Sequence, residues 1–286
     1  MNTATELDYI ELRGKPVVDA MMECLHERVE RLAAADIIPT LAIVRVGGRP
    51  DDVSYERMAC KRAASAGVTV RLITLAQDVS QAELLQVIED INADDGIHGC
   101  LMFRPLPAHI DEAMVCEALS PAKDVDGITQ TSMALVYAGA DGFAPCTAQA
   151  CIELLDHYGV EISGKRVCVV GRSLVIGRPV ALMLMNRNAT VTMCHSRTQE
   201  LAQRMREADI VVCATGRARA YGAECFSAGQ TVVDVGINFD ESGTMCGDVD
   251  YNAVCHTVAG ITPVPGGIGG ITTAVLMDHV VSAAEK

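Results

Sequence analysis

Two spacings of hydrophobic residues alternate along the first half of the chain. Apolar residues that recur every three to four positions, as in residues 81–93, indicate amphipathic helices. Compact runs rich in β-branched and aliphatic residues, as in residues 40–47, indicate strands. The predicted elements are, in order, a helix at 16–35, a strand at 40–47, a helix at 54–66, a strand at 68–75, a helix at 81–93, a strand at 97–107 and a helix at 111–119.

The second half repeats this alternation after a loop-rich stretch at 120–145. Its predicted elements are a helix at 147–157, a strand, glycine turn, helix and strand within 164–196, strands at 209–216 and 231–238, and a final helix at 272–284. Alternating strands and helices favour a mostly parallel sheet covered by helices, so the predicted fold class is α/β. We expect an N-terminal α/β domain at 1–146 and a second domain at 147–271, with residues 272–286 packing back on the first domain.

The bulk composition excludes several classes of protein without naming one. A chain of 286 residues favours two compact domains, and half of its residues are hydrophobic, which is enough material for two cores. The formal net charge of −14 argues against binding to nucleic acid or to an anionic membrane, because both require a basic surface. No apolar run approaches the roughly 20 residues that span a bilayer. The first residues are polar and acidic, unlike a signal peptide. We therefore expect a cytoplasmic protein.

Twelve cysteines are spread singly between Cys24 and Cys255. They form neither a Cys-x-x-Cys pair nor a Cys/His cluster at zinc-binding spacing. Most of them lie in apolar runs such as residues 167–170 and 210–216, where a free thiol packs as a small hydrophobic side chain. The sequence therefore predicts buried free thiols in a reducing compartment, and no metal site.

A glycine turn carries the first strong chemical signal. In residues 167–179 an apolar strand runs into Gly171, and Gly177 lies at the start of the following helix. Glycines at these points allow a pyrophosphate to approach the unpaired N–H groups and the positive end of a helix. The spacing departs from the common G-x-G-x-x-G fingerprint, so this turn alone also fits a tight strand–helix connection that binds no ligand. The interpretation as a dinucleotide site gains weight from the next strand.

That next strand ends in His195, Ser196 and Arg197, about 20 residues after the glycine turn. A dinucleotide-binding unit meets the adenosine ribose at this point, and an acidic residue there would select the free 2′-hydroxyl of NAD. Here a hydroxyl group and a guanidinium occupy the position, and Arg172 lies in the turn itself. Guanidinium groups pair with a 2′-phosphate by charge-assisted hydrogen bonds, so the site favours NADP over NAD. The alternative is that both arginines are merely solvated.

Three further segments would be turns if composition alone were considered. They are residues 123–127 (KDVDG), 145–147 (PCT) and 262–272 (TPVPGGIGGIT). Together with the motifs VGRSxxxGxP, ATVTxCHS, DVGIN and GDV, they occur in one characteristic order. Over essentially its whole length the chain resembles the methylenetetrahydrofolate dehydrogenase/cyclohydrolase enzymes. The resemblance implies an N-terminal folate-binding catalytic domain and a Rossmann-type NAD(P)-binding domain, with a cleft between them, and it implies a homodimer.

The same resemblance implies specific residues for a folate site and a dinucleotide site. Tyr55 is expected to stack on the folate and Asp126 to hydrogen-bond the pterin, and both are candidate catalytic residues. The expected wall of the folate site is Pro263, Gly266 and Gly267. The expected dinucleotide-binding residues are Gly171, Arg172, Ser173, Gly177, Ser196, Arg197 and Ile237. The implied reaction is the oxidation of 5,10-methylenetetrahydrofolate to 5,10-methenyltetrahydrofolate with NADP.

The chain departs from the family at two positions that bear on a second reaction. The family usually has Tyr-x-x-x-Lys on the helix after the first strand, and its lysine supports hydrolysis of the methenyl product; here that position is Ala59. The glutamine that normally accompanies the lysine is replaced by Phe103. Lys61 is predicted to point away from the site, and Arg62 cannot exchange a proton near neutral pH.

These two departures predict a dehydrogenase that has lost its cyclohydrolase activity. Such a chain would leave the methenyl product to a separate cyclohydrolase. One alternative is the usual bifunctional enzyme, with some other group assisting proton transfer. Another is a non-catalytic regulatory protein that binds folate or nucleotide, although the intact glycine turn and the intact Tyr55 and Asp126 count against it.

Overall fold

The computed structural model of the chain describes residues 9–286 and divides them between helices and parallel strands. The first elements are β1 (Ile10–Glu11), α1 (Gly14–Ala34), β2 (Thr40–Val46), α2 (Pro50–Ala66), β3 (Thr69–Leu75), α3 (Gln81–Ala93), β4 (Gly99–Met102), α4 (Glu112–Ala118), α5 (Gln130–Ala138) and α6 (Cys146–His157). The remainder are β5 (Arg166–Val170), α7 (Gly177–Asn186), β6 (Thr190–Cys194), α8 (Leu201–Arg206), β7 (Ile210–Cys213), a 3₁₀ turn (Ala223–Cys225), β8 (Thr231–Asp234), β9 (Asn238–Phe239), β10 (Met245–Cys246), α9 (Tyr251–Val254), β11 (Gly260–Ile261) and α10 (Ile268–Ala284).

The described residues form two compact units. One unit contains Asp19–Cys146 and Thr273–Lys286, and we call it the first unit. The second unit contains the described residues up to Val18, which are residues 9–18, together with Thr147–Thr272. The α/β class predicted from the sequence is confirmed.

The first unit is built on a three-stranded parallel sheet in the order β3-β2-β4. The central strand β2 is buried along nearly its whole length, which explains its continuous apolar run. One face of the sheet, including Val44 and Met102, packs with Leu84 and Ile88 of α3 and with Val115 of α4. Helix α3 begins at a capping box, in which the Ser80 and Glu83 side chains each bond the other residue's backbone N–H.

The second unit is built on a six-stranded parallel sheet in the order β1-β11-β8-β7-β5-β6. Strand β5 has parallel neighbours on both sides, and its register pairs Val170 with Cys194 of β6 and with Cys213 of β7. Because the strands are parallel, the loops that follow β5, β6 and β7 all emerge at one edge of the sheet. This Rossmann-type arrangement gathers those loops where a ligand of an open α/β sheet binds.

The structure corrects three predictions about elements. Residues 1–146 are not one domain, because β1 pairs with β11 and the described residues before Asp19 cluster with the second unit. The stretch 120–145, which was predicted to be loop-rich with no helix assigned, contains α5. Helix α2 begins at Pro50, in the first turn where a proline is tolerated, rather than at residue 54.

All twelve cysteines are free, and ten of them are buried, as the sequence predicted for most. Within residues 9–286, no helix is both long enough and apolar enough to cross a membrane.

Candidate active site

A cavity of about 290 Å³ opens in the first unit at the carboxyl end of β4, and we call it the Tyr55 cavity. Its lining comes from the first turns of α2, from the end of β4 and from the loop before α5. The lining residues are Asp51, Asp52, Tyr55, Leu101, Met102, Phe103, Arg104 and Asp126. The two residues expected to hold a folate, Tyr55 and Asp126, therefore meet at one site.

Tyr55 presents its ring to the cavity from the second turn of α2. The side chain is half-buried, and its ring meets the Phe103 ring edge to face, with the centroids 5.8 Å apart and the planes at 81°. Burial, reinforced by the negative charge of Asp126, raises the pKa of the Tyr55 hydroxyl. The phenol therefore stays neutral near physiological pH, and it offers a flat aromatic face.

The loop that carries Asp126 is held by a second carboxylate. Asp124 is completely buried, and it accepts hydrogen bonds from the N–H groups of Ile128 (2.9 Å) and Thr129 (2.8 Å) and from the Ser132 hydroxyl (2.6 Å). Gly127 has a φ of +65°, and a Cβ there would lie 2.5 Å from the Pro145 nitrogen. The sequence did not separate these roles: one acidic residue of the turn shapes the loop, and the other is left for the cavity.

The Asp126 carboxyl has a pKa that lies close to neutral pH. Burial raises its pKa to about 6, while a hydrogen bond from the Cys146 thiol and the positive charge of Arg104 oppose that rise. The Val125 carbonyl beside it accepts from the Cys146 Sγ (3.2 Å) and from the Nδ1 of the buried His279 (2.8 Å). Burial keeps both of these neighbours uncharged, because it raises the pKa of Cys146 and lowers that of His279.

The residues that depart from the family pattern lie at or beside this cavity. Ala59 follows Tyr55 by one helical turn and has no exposed surface, and Phe103 is 9% exposed. Lys61 is exposed on α2, and the Arg62 Nε donates to the Thr273 Oγ1 at 3.3 Å. Neither of these two cations is among the residues that line the cavity.

The glycine turn of the second unit has the geometry that its sequence predicts. Gly171 has a φ of +128°, and a Cβ there would lie 2.2 Å from the Ala214 carbonyl oxygen. A Cβ on Gly177 would lie 2.3 Å from the Gly171 oxygen. The Ser173 Oγ accepts from the N–H groups of Ile176 (3.1 Å) and Gly177 (3.3 Å) at the start of α7. No side chain fits at either glycine, so the backbone is open to a ligand at the helix N-terminus.

The parallel register brings the second βα loop beside this turn. The Gly171 N–H donates to the Cys194 carbonyl at 2.9 Å, so the residues that follow β5 and β6 are neighbours. Arg172, Ser196 and Arg197 are all exposed at this edge. The three residues predicted to hold a 2′-phosphate are thus on adjacent loops, and their side chains are accessible.

Two buried aspartates, which the sequence analysis did not select, organise the remaining loops at this edge. Asp248 accepts from the Thr215 N–H and hydroxyl, from the N–H groups of Gly216 and Arg217, and from the Asn238 side chain. Asp234 accepts from the N–H groups of Gly236, Asp248 and Val249, and burial raises its pKa to about 7. The signal was present in the motifs DVGIN and GDV, which contain these aspartates. Ile237 lies between the two clamped segments and is 63% exposed.

Pro263, Gly266 and Gly267 lie in the second unit, in the loop after β11, whereas Tyr55 and Asp126 lie in the first. A Cβ on Gly267 would lie 2.7 Å from the Pro263 carbonyl oxygen, and the Gly266 carbonyl accepts from the Gly14 N–H at 2.8 Å. Their predicted contact with a folate stays a prediction. Within the part of the chain that the structure describes, no three His, Cys, Asp or Glu side chains are grouped to hold a metal ion.

Two family models match the chain. Residues 12–126 match the tetrahydrofolate dehydrogenase/cyclohydrolase catalytic domain, and residues 145–286 match the NAD(P)-binding domain of the same family. The two matched regions cover the Tyr55 cavity and the glycine turn, respectively.

Individual relatives agree over nearly the full length. A protein of Carboxydothermus hydrogenoformans named bifunctional protein FolD is 48% identical over 277 residues, which are 96% of each chain. The structure of the bifunctional FolD enzyme of Campylobacter jejuni superposes with a TM-score of 0.95 at 36% identity, covering 97% of this chain and 99% of that one. The Trypanosoma brucei dehydrogenase-cyclohydrolase, solved with NADP and an inhibitor, gives a TM-score of 0.91 at 33% identity, covering 97% of each chain.

Proposed function

Because the chain belongs to the tetrahydrofolate dehydrogenase/cyclohydrolase family, we propose that it oxidises 5,10-methylenetetrahydrofolate to 5,10-methenyltetrahydrofolate with NADP. The observation that carries this proposal is the meeting of Tyr55 and Asp126 in one cavity. The matched NAD(P)-binding domain, with its glycine turn, supplies the second half of the argument. The alternative of a non-catalytic binding protein has no feature of the described residues in its favour.

The two cavity residues suit the two surfaces of a reduced pterin. The pterin ring has a flat face, which the neutral Tyr55 ring can cover, and a donor-rich edge, which an ionised Asp126 can accept from. Phe103 supports the Tyr55 ring from the side, so the aromatic face is held in one orientation. These residues bind and orient the substrate in the proposal.

Hydride transfer itself requires little acid–base catalysis by the protein. NADP, when bound, supplies the acceptor for the hydride that leaves the methylene bridge, and the lone pair of folate N5 becomes the new C–N π bond. The chain contributes positioning, which can lower a barrier by roughly 7–11 kcal/mol. This reaction takes up and releases no proton, so the absence of a lysine at position 59 does not impede it.

The preference for NADP rests on the edge of the six-stranded sheet. Arg172, Ser196 and Arg197 offer two guanidinium groups and a hydroxyl on adjacent loops, and none of them is an acidic residue that would select a free ribose hydroxyl. The relative of Trypanosoma brucei was solved with NADP bound. We assign the 2′-phosphate to these three residues.

For the second reaction, the hydrolysis of the methenyl product, the comparisons and the residues of this chain favour different conclusions. The relatives from Carboxydothermus hydrogenoformans and Campylobacter jejuni are named bifunctional, and these names favour the bifunctional alternative over the predicted loss of cyclohydrolase activity. The loss is therefore not confirmed. It stays a proposal that rests on Ala59 and Phe103, because an alanine methyl cannot move a proton and a phenyl ring cannot orient a water.

Hydrolysis has needs that oxidation lacks. A water must become nucleophilic and protons must move, and a positioned acid–base side chain contributes roughly 10²- to 10⁴-fold to such a step. The one cation that lines the described Tyr55 cavity is Arg104, and a guanidinium does not exchange protons near neutral pH. On this proposal the chain releases methenyltetrahydrofolate to a separate hydrolase; the homodimer and the cytoplasmic location stay predictions.

One incubation separates these functions. Purified protein is mixed with 5,10-methylenetetrahydrofolate and either NADP or NAD, and the absorbances of reduced dinucleotide and methenyltetrahydrofolate are followed while formyltetrahydrofolate is measured by chromatography. We expect NADP reduction with stoichiometric accumulation of the methenyl product. Formyl product that appears no faster than in buffer supports the loss; enzyme-dependent formation supports the bifunctional alternative. No reduction of either dinucleotide would refute the dehydrogenase.

A further inference from the structure

Arg104 places a positive charge in a cavity that is otherwise lined by carboxylates and apolar groups. It lies two residues after the end of β4, and among the described residues that line the Tyr55 cavity it is the only cation, with Asp51, Asp52 and Asp126 in the same lining. The side chain is 25% exposed, so the guanidinium is partly withdrawn from water. Electrostatic interactions at such a position are screened less than on an open surface.

Two of the other charged groups near Arg104 are already engaged. Asp52 is paired with Arg49 through two contacts of 2.8 Å. Glu112 lies 4.0 Å from an Arg104 nitrogen, which is long for a direct ion pair, and its other oxygen accepts from the Leu106 N–H at 2.7 Å. The carboxylates of the cavity that are left are Asp51, which is exposed, and Asp126, which is less exposed and whose interaction with Arg104 is therefore screened less by water.

Most of the ionisable groups around Asp126 are neutral, and one of them is the Cys100 thiol of β4, whose pKa is raised by burial. Tyr55 on α2, Cys146 on α6 and His279 on α10 stay uncharged, as described above. Asp124, in the same loop, is negative but is held by its own three hydrogen bonds. Two groups favour an ionised Asp126: the Cys146 thiol, through a hydrogen bond, and Arg104, which is the only one of the two that carries a charge. Burial and the negative charge of Asp124 raise the pKa of Asp126 and so oppose its ionisation.

We propose that Arg104 is a positioning residue that favours the ionised form of Asp126 within the cavity that both residues line, and that it thereby sets the lowest pH at which the enzyme binds and oxidises its folate. The first clause stands on the cavity alone, and the second rests on the proposed function. A guanidinium suits this role, because it keeps its charge at every pH at which Asp126 titrates.

The proposal also separates two jobs that one lysine could perform together. A cation beside the bound folate can stabilise a carboxylate, and an ammonium can in addition exchange a proton. With Ala59 in the lysine position, Arg104 supplies the positive charge from beyond the end of β4. Neither residue can exchange a proton with the bound folate.

The test is the pH dependence of kcat/KM for folate oxidation in the native protein, Arg104→Leu and Arg104→Lys. We expect the native acid limb to lie near pH 6 and to move up in Arg104→Leu. A shift of about one pH unit would lower kcat/KM about five-fold near pH 6 and less than two-fold near pH 8.5. Arg104→Lys should keep the limb near its native place. Arg57→Leu, which removes an exposed cation from α2, is the matched control and should leave the profile unchanged.

A readout without substrate makes the result independent of the proposed reaction. In protein labelled with ¹³C at the aspartate carboxyls, the Asp126 resonance is assigned by its absence from Asp126→Asn and is titrated in each variant. A titration that moves up in Arg104→Leu supports the inference even if no dinucleotide is reduced, in which case the proposed function alone fails. An unmoved titration, or a loss of kcat/KM that is equal at every pH, overturns the inference.

Discussion

The two acidic residues of the KDVDG turn show how neighbours in sequence can have different roles. Asp124 is completely buried and bonded three times by its own loop, whereas Asp126 keeps some exposed surface toward the Tyr55 cavity. A carboxylate that is bonded on all sides contributes to the fold, and one that faces a cavity is available to a ligand. Replacing each in turn should therefore affect different properties.

We predict that Asp126→Ala abolishes folate oxidation while the protein remains folded and retains its affinity for NADP, since the predicted dinucleotide-binding residues lie in the other unit. Asp124→Ala should instead strip three donors of their acceptor and lower the free energy of unfolding by about 1–3 kcal/mol or more. Turnover, thermal melting and NADP titration of both variants check this. Normal turnover in Asp126→Ala would mean that the proposed folate orientation is wrong.

At the cofactor edge, the prediction concerns Arg197. Its replacement by alanine should weaken NADP binding by about 1.5–3 kcal/mol, because one charge-assisted contact to the 2′-phosphate is lost. NAD has no such phosphate, so its weaker binding should not change. Calorimetric titration of both dinucleotides into the native protein and Arg197→Ala measures the difference directly. A variant that loses affinity for both dinucleotides equally would place Arg197 elsewhere.

The sequence analysis identified residues whose side chains can bind a ligand, and it missed residues whose side chains hold loops in place. Arg172, Ser196 and Arg197 were found because a cation or a hydroxyl at a known spacing has few other uses there. Asp248 was missed, because its role depends on the N–H groups of Thr215, Gly216 and Arg217, more than 30 residues away. A residue whose partners are backbone groups elsewhere in the chain leaves no local pattern.

At the scale of elements, the glycine turn between β5 and α7 requires glycine for two reasons: the backbone conformation and the lack of space for a side chain. Gly171 has both a positive φ and a neighbouring backbone oxygen at the place of a Cβ. Gly164 also has a positive φ, of +76°, but nothing lies within 4 Å of the place of its Cβ. This pair separates the cost of backbone strain from the cost of a clash.

We predict that Gly164→Ala lowers the free energy of unfolding by about 1–2 kcal/mol, which is the cost of a left-handed conformation for an L-residue. Gly171→Ala should cost clearly more, and it should also impair dinucleotide binding, because the turn must shift to relieve the clash with Ala214. Urea unfolding followed by far-ultraviolet circular dichroism, with NADP titration, compares the two variants. Equal destabilisation by both would show that the turn can relax without cost.

The sequence predicted helices and strands correctly where a regular apolar pattern was present. It missed a short helix that is marked mainly by its caps and a strand that exists only through its pairing. The bounds of α3 agree with the sequence, since a capping box and a regular apolar face define it. Helix α5 was missed, although Thr129 caps its first turn and Gly139 adopts the left-handed conformation at its end. Strand β1 is two residues long and exists through its pairing with β11, which no local pattern could indicate.

At the scale of the whole molecule, the open question is which reactions one chain performs. The fold, the Tyr55 cavity and the glycine turn belong equally to a dehydrogenase and to a bifunctional enzyme. The difference comes down to two positions beside Tyr55. Ala59 has no exposed surface, and Phe103 packs against the Tyr55 ring. Any attempt to restore hydrolysis must therefore satisfy packing as well as chemistry.

We predict that Ala59→Lys alone gives little cyclohydrolase activity. A lysine inserted at a fully buried alanine overpacks the site, at a typical cost of about 1–3 kcal/mol, and burying its ammonium adds a cost of desolvation. Phe103→Gln removes the ring and supplies an amide, so Ala59→Lys with Phe103→Gln should hydrolyse methenyltetrahydrofolate measurably faster than the two single variants together. Such coupling is expected of residues that act as a unit. The measurement is the decay of methenyltetrahydrofolate absorbance in the native protein and the three variants, with NADP reduction and thermal melting as controls for folding. Robust hydrolysis by the native protein would contradict the proposal at once, because it would show that some other group of the chain already moves the proton.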